Sequence, residues 1–108
     1  MKLIIDSTDS KNITVKIEDK KSGTSDSLFE EQKTGSQVLL PMIDTLLKKN
    51  KITLAQIKEI EVNSGPGSFT GTRVGVSIAN ALGFALNIPV NGKKGKIVVP
   101  VYEKSKFD

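Results

Sequence analysis

The most constraining feature of this chain is a glycine-rich turn that joins a short apolar segment to a long helical one. Gly65 and Gly67 permit backbone angles that a residue with a Cβ resists, and Pro66 fixes its own φ between them. Ser68 or Thr70 is placed to cap the following helix by accepting a bond from one of its free N–H groups. Such a turn either cradles an anion at the helix N-terminus or acts as a compact strand-to-helix joint without a ligand. The spacing alone favours the joint.

Apolar periodicity and turn residues divide the rest of the chain into short elements. They predict strands at residues 1–6, 13–18, 24–32, 59–63 and 97–101, and helices at 36–50, 53–56 and 68–87. The first three strands read as an antiparallel meander because short turns join them. Pro41 predicts a distorted first turn in the first helix, and Pro100 places the last strand at a sheet edge. The order predicts one α/β domain over residues 1–108, with a five-stranded mixed sheet of the ribonuclease H-like type found in actin/Hsp70 ATPase half-domains.

Composition excludes several kinds of site. The chain has no cysteine and no histidine, so a disulfide framework, a thiolate site and histidine-based catalysis are excluded. Its net charge is +4, and Arg73 is its one arginine. Scarce arginine and few aromatic side chains argue against base-specific nucleic-acid recognition, although the lysines allow weak attraction to phosphates. No signal peptide or membrane-spanning stretch is visible, so we expect a cytoplasmic protein with no membrane partner.

The long helix predicted from Ser68 is apolar nearly all round, which indicates burial nearly all round. Small residues recur every four positions along one side, at Gly71, Gly75, Ala79 and Gly83. This ridge predicts close approach of another element, most simply the chain's own sheet. The opposite side of the long helix and one side of the first helix are also apolar. So small a domain has no further element to cover them. We therefore predict a helix-on-helix interface with another protein, built from residues 36–50 and 68–87.

The turn and its helix resemble the signature of the TsaB (YeaZ) family, bacterial partner subunits of the enzyme TsaD in the synthesis of threonylcarbamoyladenosine in tRNA. The pattern that carries the resemblance is Gly65-Pro66-Gly67-Ser68-Phe69-Thr70-Gly71-x-Arg73-x-Gly75, followed by an Ala- and Gly-rich helix ending in Asn87-Ile88-Pro89-Val90. Two shorter matches are Leu3-Ile4-Ile5-Asp6-Ser7-Thr8, similar to the family's opening strand, and Ser36-Gln37-x-Leu39-Leu40-Pro41-x-Ile43, similar to its first helix. The resemblance covers residues 1–92 and implies the same ribonuclease H-like fold.

The resemblance implies a non-catalytic partner that binds and activates TsaD in threonylcarbamoyl transfer to tRNA adenosine. ATP and metal are then expected on TsaD, with no cofactor or metal on this chain. The implied assembly is a heterodimer or larger complex with TsaD, or a homodimer through the same helices, with weak or indirect tRNA contact at most. The expected interface residues are Val38, Leu39, Met42, Ile43, Leu46, Phe69, Arg73, Val74, Ile78 and Leu82. The expected structural turn consists of Gly65, Pro66, Gly67, Ser68 and Gly71.

The chain also departs from the usual family member, which has a second, C-terminal domain of similar size. Actin-type nucleotide sites lie between two such halves, so no complete cleft is expected here. Asp6, where actin-type ATPases carry a metal-holding acid, is interpreted as a turn-forming residue, and Arg73 as a contact at the partner boundary. Two alternatives stay open. One is an enzyme, either an ATP-binding half-domain that dimerises or a peptidase with Ser68 as nucleophile; the other is a small basic tRNA-binding module.

Overall fold

A computed structural model describes residues 1–9, 11–31 and 38–102 of the chain. The elements in these residues are β1 (Lys2–Asp6), β2 (Asn12–Asp19), β3 (Thr24–Glu31), α1 (Leu39–Lys49), β4 (Glu59–Val62) and α2 (Phe69–Leu86). A single 3-10 turn, Leu54–Gln56, takes the place of the short helix expected before β4. Its start is held by the Thr53 N–H, which donates to Gln56 Oε1 at 2.9 Å.

The strands form one mixed sheet in the order β3-β2-β1-β4. The first three strands pair antiparallel, and β4 lies parallel to β1. The register places Leu3 beside Ile17 and Ile60, and Ile5 beside Val15. These five side chains are at most 2% exposed, so alternate residues of the strands line one buried face. The α/β class, the mixed sheet and the antiparallel meander are confirmed, and the ribonuclease H-like type stays a prediction.

Both helices pack on this one face of the sheet. α1 lies over β2 and β3, and α2 lies over β4 and β1. The opposite face carries polar side chains, including the ion pairs Lys2–Glu61 and Lys16–Glu18, each at 3.1 Å. The described fold is therefore a two-layer sandwich of helices on a sheet whose other face is largely polar.

The apolar side of α1 belongs to the core of the chain itself. The structure leaves Leu39, Met42, Ile43 and Leu46 between 0% and 4% exposed. This corrects the expectation that these four residues contact a partner, because β2 and β3 already cover them. The helical spacing was read correctly, but the spacing of apolar residues does not say which surface covers them.

The first turn of α1 is regular, which corrects the distortion expected at Pro41. The Met42 N–H donates to the Val38 carbonyl at 3.0 Å. Pro41 is the third residue of the helix, where a missing N–H removes no intrahelical bond. The expected helix start at Ser36 and Gln37 lies outside the described residues.

The small-residue ridge of α2 packs on the chain's own sheet, as the simpler interpretation of the sequence predicts. A Cβ on Gly75 would overlap the Ser7 hydroxyl, and one on Gly83 would overlap the Val90 side chain. The Ser7 hydroxyl also donates to the Gly71 carbonyl at 2.6 Å. The glycines therefore let α2 approach β1 and the segment beside β4 more closely than larger residues would allow.

The fifth strand predicted at residues 97–101 is wrong: within the described residues the sheet has four strands. The backbone of Val98 is occupied by a side chain, because its N–H donates to Asn80 Oδ1 at 3.0 Å and its carbonyl accepts from Asn80 Nδ2 at 2.9 Å. Pro100 in the same segment has no N–H to donate to a ladder. Residues 97–101 therefore lie outside the sheet, and Val98 is held against α2 by Asn80.

Residues 89–91 cover the outer edge of β4 instead. The Ile60 N–H donates to the Pro89 carbonyl at 3.0 Å, and the Asn91 N–H donates to the Ile60 carbonyl at 2.8 Å. The Asn91 side chain then continues the pattern: it accepts from the Val62 N–H at 2.8 Å and donates to the Val62 carbonyl at 3.0 Å. A parallel bridge and one amide side chain thus replace a full strand.

Candidate partner-binding site

The glycine turn is built so tightly that two of its glycines are required. Gly65 has a φ of 110°, and a Cβ there would overlap the Val101 carbonyl oxygen. A Cβ on Gly67 would press on Thr8 and Thr72. The turn is therefore packed between the β1 turn, α2 and the segment around Val101.

Two N–H groups of the turn are used inside the chain. The Gly65 N–H donates to Asn63 Oδ1 at 3.1 Å, and the Ser68 N–H donates to the Thr8 carbonyl at 2.9 Å. These bonds favour the compact joint over an anion cradle. Ser68 occupies the N-cap position of α2, but its hydroxyl makes no cap bond, which corrects the capping role expected for it. Within the described residues, the buried hydroxyls of Ser68 and Thr72 have no hydrogen-bond partner.

Asp6 holds the turn after β1 together. Its Oδ1 accepts from the Thr8 N–H at 3.0 Å and from the Thr8 hydroxyl at 2.7 Å. Its Oδ2 accepts from Asn63 Nδ2 at 3.2 Å, which ties the β1 turn to the glycine turn. The expected turn-forming role is confirmed. Among the described residues no cluster of acidic groups with metal-binding spacing is found.

α2 presents apolar side chains to solvent on more than one side. Phe69 is 59% exposed at its start and Phe84 is 91% exposed near its end. Val74, Ile78 and Leu82 are half-buried, packing on the core while keeping part of each side chain accessible. Their spacing of four residues makes them a continuous row along the helix, which we call the α2 row.

Of the ten expected interface residues, the structure places four in the core and brings three together in the α2 row, while Phe69 and Arg73 lie on another side of α2. Phe69 and Arg73 lie exposed in the first turns of α2, but at 100° per residue they point about 180° and 140° away from Ile78 and so lie off the α2 row. Phe69 also packs its ring on Tyr102, with 4.6 Å between ring centroids. Val38 is half-buried just before α1 and is the one expected residue near that helix still partly accessible. The candidate site is therefore the α2 row.

Sequence reasoning missed several exposed apolar side chains. They are Leu40 on α1, Phe84 on α2, and Ile97, Val99 and Val101 in the segment after α2. The signal for Phe84 was its place opposite the small-residue ridge. The signal for the last three was the apolar run that was interpreted as an edge strand.

The shifted pKa values lie outside α2. Hydrogen bonds from the Lys11 and Lys21 backbone N–H groups lower the pKa of Asp9 and Asp19 in two turns. A hydrogen bond from the Asn50 side chain lowers the pKa of Asp26 on β3. A hydrogen bond to Glu61 raises the pKa of Lys2. α2 carries Arg73 as its one charged residue, so its surface is suited to apolar contact and not to proton transfer. Neither helix in the described part of the chain is long and apolar enough to cross a membrane.

Comparison with known proteins defines the class. The family model described as tRNA N6-adenosine threonylcarbamoyltransferase, TsaD, matches residues 30–92, which is more than half of the chain. The chain belongs to this family, and within it to the TsaB (YeaZ) group as a partial-length member. The match spans α1, the glycine turn and α2, so the family resemblance found in the sequence is confirmed.

Two curated relatives carry the name tRNA threonylcarbamoyladenosine biosynthesis protein TsaB. The Haemophilus influenzae protein is 44% identical over 59 residues, covering 55% of this chain and 25% of its own length. The Escherichia coli protein is 37% identical over 57 residues, covering 53% of this chain and 25% of its own length. This chain therefore matches about a quarter of the length of these relatives.

A solved structure supports the same assignment. YeaZ from Pseudomonas aeruginosa matches with a TM-score of 0.76 and 31% sequence identity, over 82% of this chain and 42% of that chain. A second Pseudomonas aeruginosa structure, described as similar to peptidase YeaZ, gives the same TM-score and covers 40% of that chain. The likeness extends well beyond the signature turn to most of the described fold.

Proposed function

We propose that this chain is a TsaB-type partner subunit that binds and activates a TsaD protein in threonylcarbamoyl transfer to tRNA adenosine. The observation that carries the proposal is the accessible apolar surface of α2 in a chain of this family. Its relatives are named as threonylcarbamoyladenosine biosynthesis proteins, and the family model bears the name of the transferase itself. The proposal includes the ribonuclease H-like fold, which the antiparallel β1–β3 meander and the parallel β4 support.

The contact surface proposed on this chain is the α2 row of Val74, Ile78 and Leu82, and Phe69 and Arg73 lie on another side of the helix. Apolar side chains that are half-covered by their own core are already ordered, so docking a helix on them loses little side-chain entropy. With four of the expected α1 residues in the core, α2 supplies the surface. The same surface would join two copies of the chain when TsaD is absent.

The proposed role is non-catalytic. The sequence has neither histidine nor cysteine, so a serine nucleophile would need another base. Ser68 lies at the N-cap of α2 with its hydroxyl buried, and the Asp6 carboxylate is engaged by Thr8 and Asn63. These features support a subunit that orders its partner, with ATP and metal held by TsaD and no cofactor on this chain.

The test is complex formation with a cognate TsaD. The chain is mixed with TsaD at micromolar concentration, and the complex is followed by size-exclusion chromatography with light scattering. We expect a stable heteromeric complex, because the α2 row is covered only on one side by its own core. We expect Ile78→Asp to weaken it by roughly tenfold or more, since a carboxylate in an apolar helix contact is left unpaired.

The control is Thr45→Asp, which adds the same charge to the outer side of α1 at an exposed position. Circular dichroism of both variants checks that they fold. If the chain elutes alone beside TsaD, or if both variants bind as the parent does, the proposed surface is wrong. Steady ATP hydrolysis by the purified chain that is lost on Asp6→Ala would favour the enzyme alternative instead.

A basic tRNA-binding module is the second candidate, and one observation favours it. Lys93, Lys94 and Lys96 are all exposed on one loop after α2. If tRNA binds the isolated chain through this loop, its affinity should fall steeply between low and moderate salt. A filter-binding series with the K93E/K94E/K96E variant as reference separates this outcome from weak non-specific attraction.

A further inference from the structure

A groove lies at the C-terminal end of α2, away from the α2 row. It has a volume of about 390 Å³ and runs between the last turns of α2 and residues 93–97. Its lining includes the apolar side chains of Phe84, Ile88, Val90 and Ile97 and the polar ones of Asn80, Asn87, Lys93 and Lys96. Phe84 is 91% exposed and Ile97 is 80% exposed, so two large apolar side chains stand at its rim with little of their own chain against them.

The walls of the groove are fixed by hydrogen bonds. The Asn80 amide holds both backbone groups of Val98 at 2.9 and 3.0 Å, which ties the far wall to α2. At the other end, the Val90 and Lys93 backbones exchange bonds of 3.3 and 3.1 Å. At the base of the groove Gly83 and Val90 are both buried and pack closely against each other. The groove is thus formed before any ligand arrives, which reduces the entropy lost on binding.

The charge of the groove has one sign. Lys93 and Lys96 line it and both are exposed, and no acidic residue is among the side chains described around it. The neighbouring Lys94 adds a third positive charge to the same loop. An apolar trough with cationic residues on one wall complements a ligand that carries both apolar and anionic groups.

We propose that this groove binds an acidic peptide segment of a partner protein, with an aliphatic or aromatic side chain seated between Phe84 and Ile97. Carboxylates on either side of that anchor would pair with Lys93 and Lys96. Nucleic acid fits less well, because aliphatic walls offer no stacking surface for successive bases and no arginine lines the groove. The site is separate from the α2 row: at 100° per residue, Phe84 and Ile78 point about 120° apart around the helix.

The experiment is a titration of the full chain, labelled with ¹⁵N, by two short synthetic peptides up to millimolar concentration. One peptide has a leucine-phenylalanine pair flanked by glutamates, and its partner has serines in place of that pair. We expect saturable amide shifts confined to residues 80–98 with the first peptide and much weaker ones with the second. Phe84→Ser and the double variant K93E/K96E should each weaken binding by roughly tenfold, since they remove the anchor contact and the charge pairing respectively.

Matched controls keep the outcome specific. Phe29→Ser removes an exposed phenylalanine from β3, and K20E/K21E reverses two exposed lysines far from the groove; neither should change peptide binding. The proposal is overturned by shifts that map elsewhere, by no saturation, by equal binding of the serine peptide, or by tighter binding of a single-stranded RNA of similar length. If light scattering shows a dimer and Phe84→Ser abolishes it, the groove binds a second copy of the chain, and the peptide proposal is also overturned. Because Phe84 lies off the α2 row, Phe84→Ser should still bind TsaD, so the two proposals fail independently.

Discussion

At the scale of single residues, contact between α2 and the sheet depends on positions that have no side chain. Gly75 faces Ser7, whose hydroxyl is buried and already donates to the Gly71 carbonyl at 2.6 Å. An added methyl group cannot be accommodated by a simple rotation of Ser7, because that rotation would break a buried hydrogen bond. The sequence predicted the close approach, but only the structure shows which atom faces the glycine.

We predict that Gly75→Ala destabilises the chain although alanine is the better helix former. Overpacking against Ser7 should outweigh the helix propensity gained, for a net loss of about 1–3 kcal/mol in the free energy of unfolding. Urea denaturation followed by circular dichroism measures it. The control Ser77→Ala, at an exposed position of the same helix, should instead be neutral or raise stability by roughly 0.5 kcal/mol.

A double-mutant cycle tests the cause. In the Ser7→Ala background the overlapping hydroxyl is gone, so Gly75→Ala should be less harmful than in the parent chain. Equal losses in both backgrounds would show that the helix shifts for another reason, and that Ser7 is not what the alanine meets.

At the scale of elements, the edge of β4 shows how a side chain can do the work of a strand. Asn91 pairs with both backbone groups of Val62 where a longer strand would have continued the ladder. Asn91 also has a φ of 52°, a left-handed conformation that asparagine tolerates better than most residues. It therefore serves the sheet through its amide and the turn through its backbone.

Two substitutions should separate these roles. Asn91→Gly keeps the left-handed backbone but removes the amide, so it should cost about 1 kcal/mol from two unpaired backbone groups. Asn91→Ala removes the amide and also strains the backbone, so it should cost about 1 kcal/mol more. Thermal and urea unfolding give the comparison, and equal stability of the two variants would contradict a backbone role.

The elements themselves were largely predictable from apolar spacing. β1, β4 and α2 fall within a residue or two of their expected limits, because each combines a clear period with a turn signal at its ends. The strand expected at residues 97–101 was wrong, since a run of apolar residues cannot reveal that the Asn80 side chain occupies the backbone of Val98. The apolar row on α2 was predictable from the sequence as a candidate site. That the apolar side of α1 is buried in the core could be learned only from the packing of the whole fold.

At the scale of the whole molecule, one acidic residue links the helix layer to the sheet. Asp26 on β3 accepts from Asn50 Nδ2 at 2.9 Å and lies 3.3 Å from Lys49 Nζ, both at the end of α1. The Asn50 amide also donates to the Leu46 carbonyl at 2.8 Å, which anchors it to the helix. Asp26 therefore holds α1 against the outermost described strand.

The stabilisation from Asp26 should depend on pH. The hydrogen bond from Asn50 lowers the pKa of Asp26 below its ordinary value of 3.8. A lowered pKa in the folded state means that the contribution is fully present above that ordinary value and is lost as the pH falls through the folded-state pKa. We predict that Asp26→Asn is less stable than the parent at pH 6–7, and that the difference shrinks steadily below about pH 4.

Thermal melts across this range measure the effect. Asp44→Asn is the matched control, because Asp44 pairs with Lys48 on the exposed surface of α1 and adds little to stability. A difference between Asp26→Asn and the parent that stays constant down to the lowest pH would rule out the proposed linkage.

The covered edge of β4 also limits how the molecule can aggregate. A fibre that grows by strand addition requires two free sheet edges on every molecule, so that each added molecule still has an edge for the next one. Here residues 89–91 and the Asn91 amide already occupy one rim of the described sheet, and β3 lies at the other. If two molecules pair through β3, neither has a free edge left in the described sheet, so strand addition stops at a dimer.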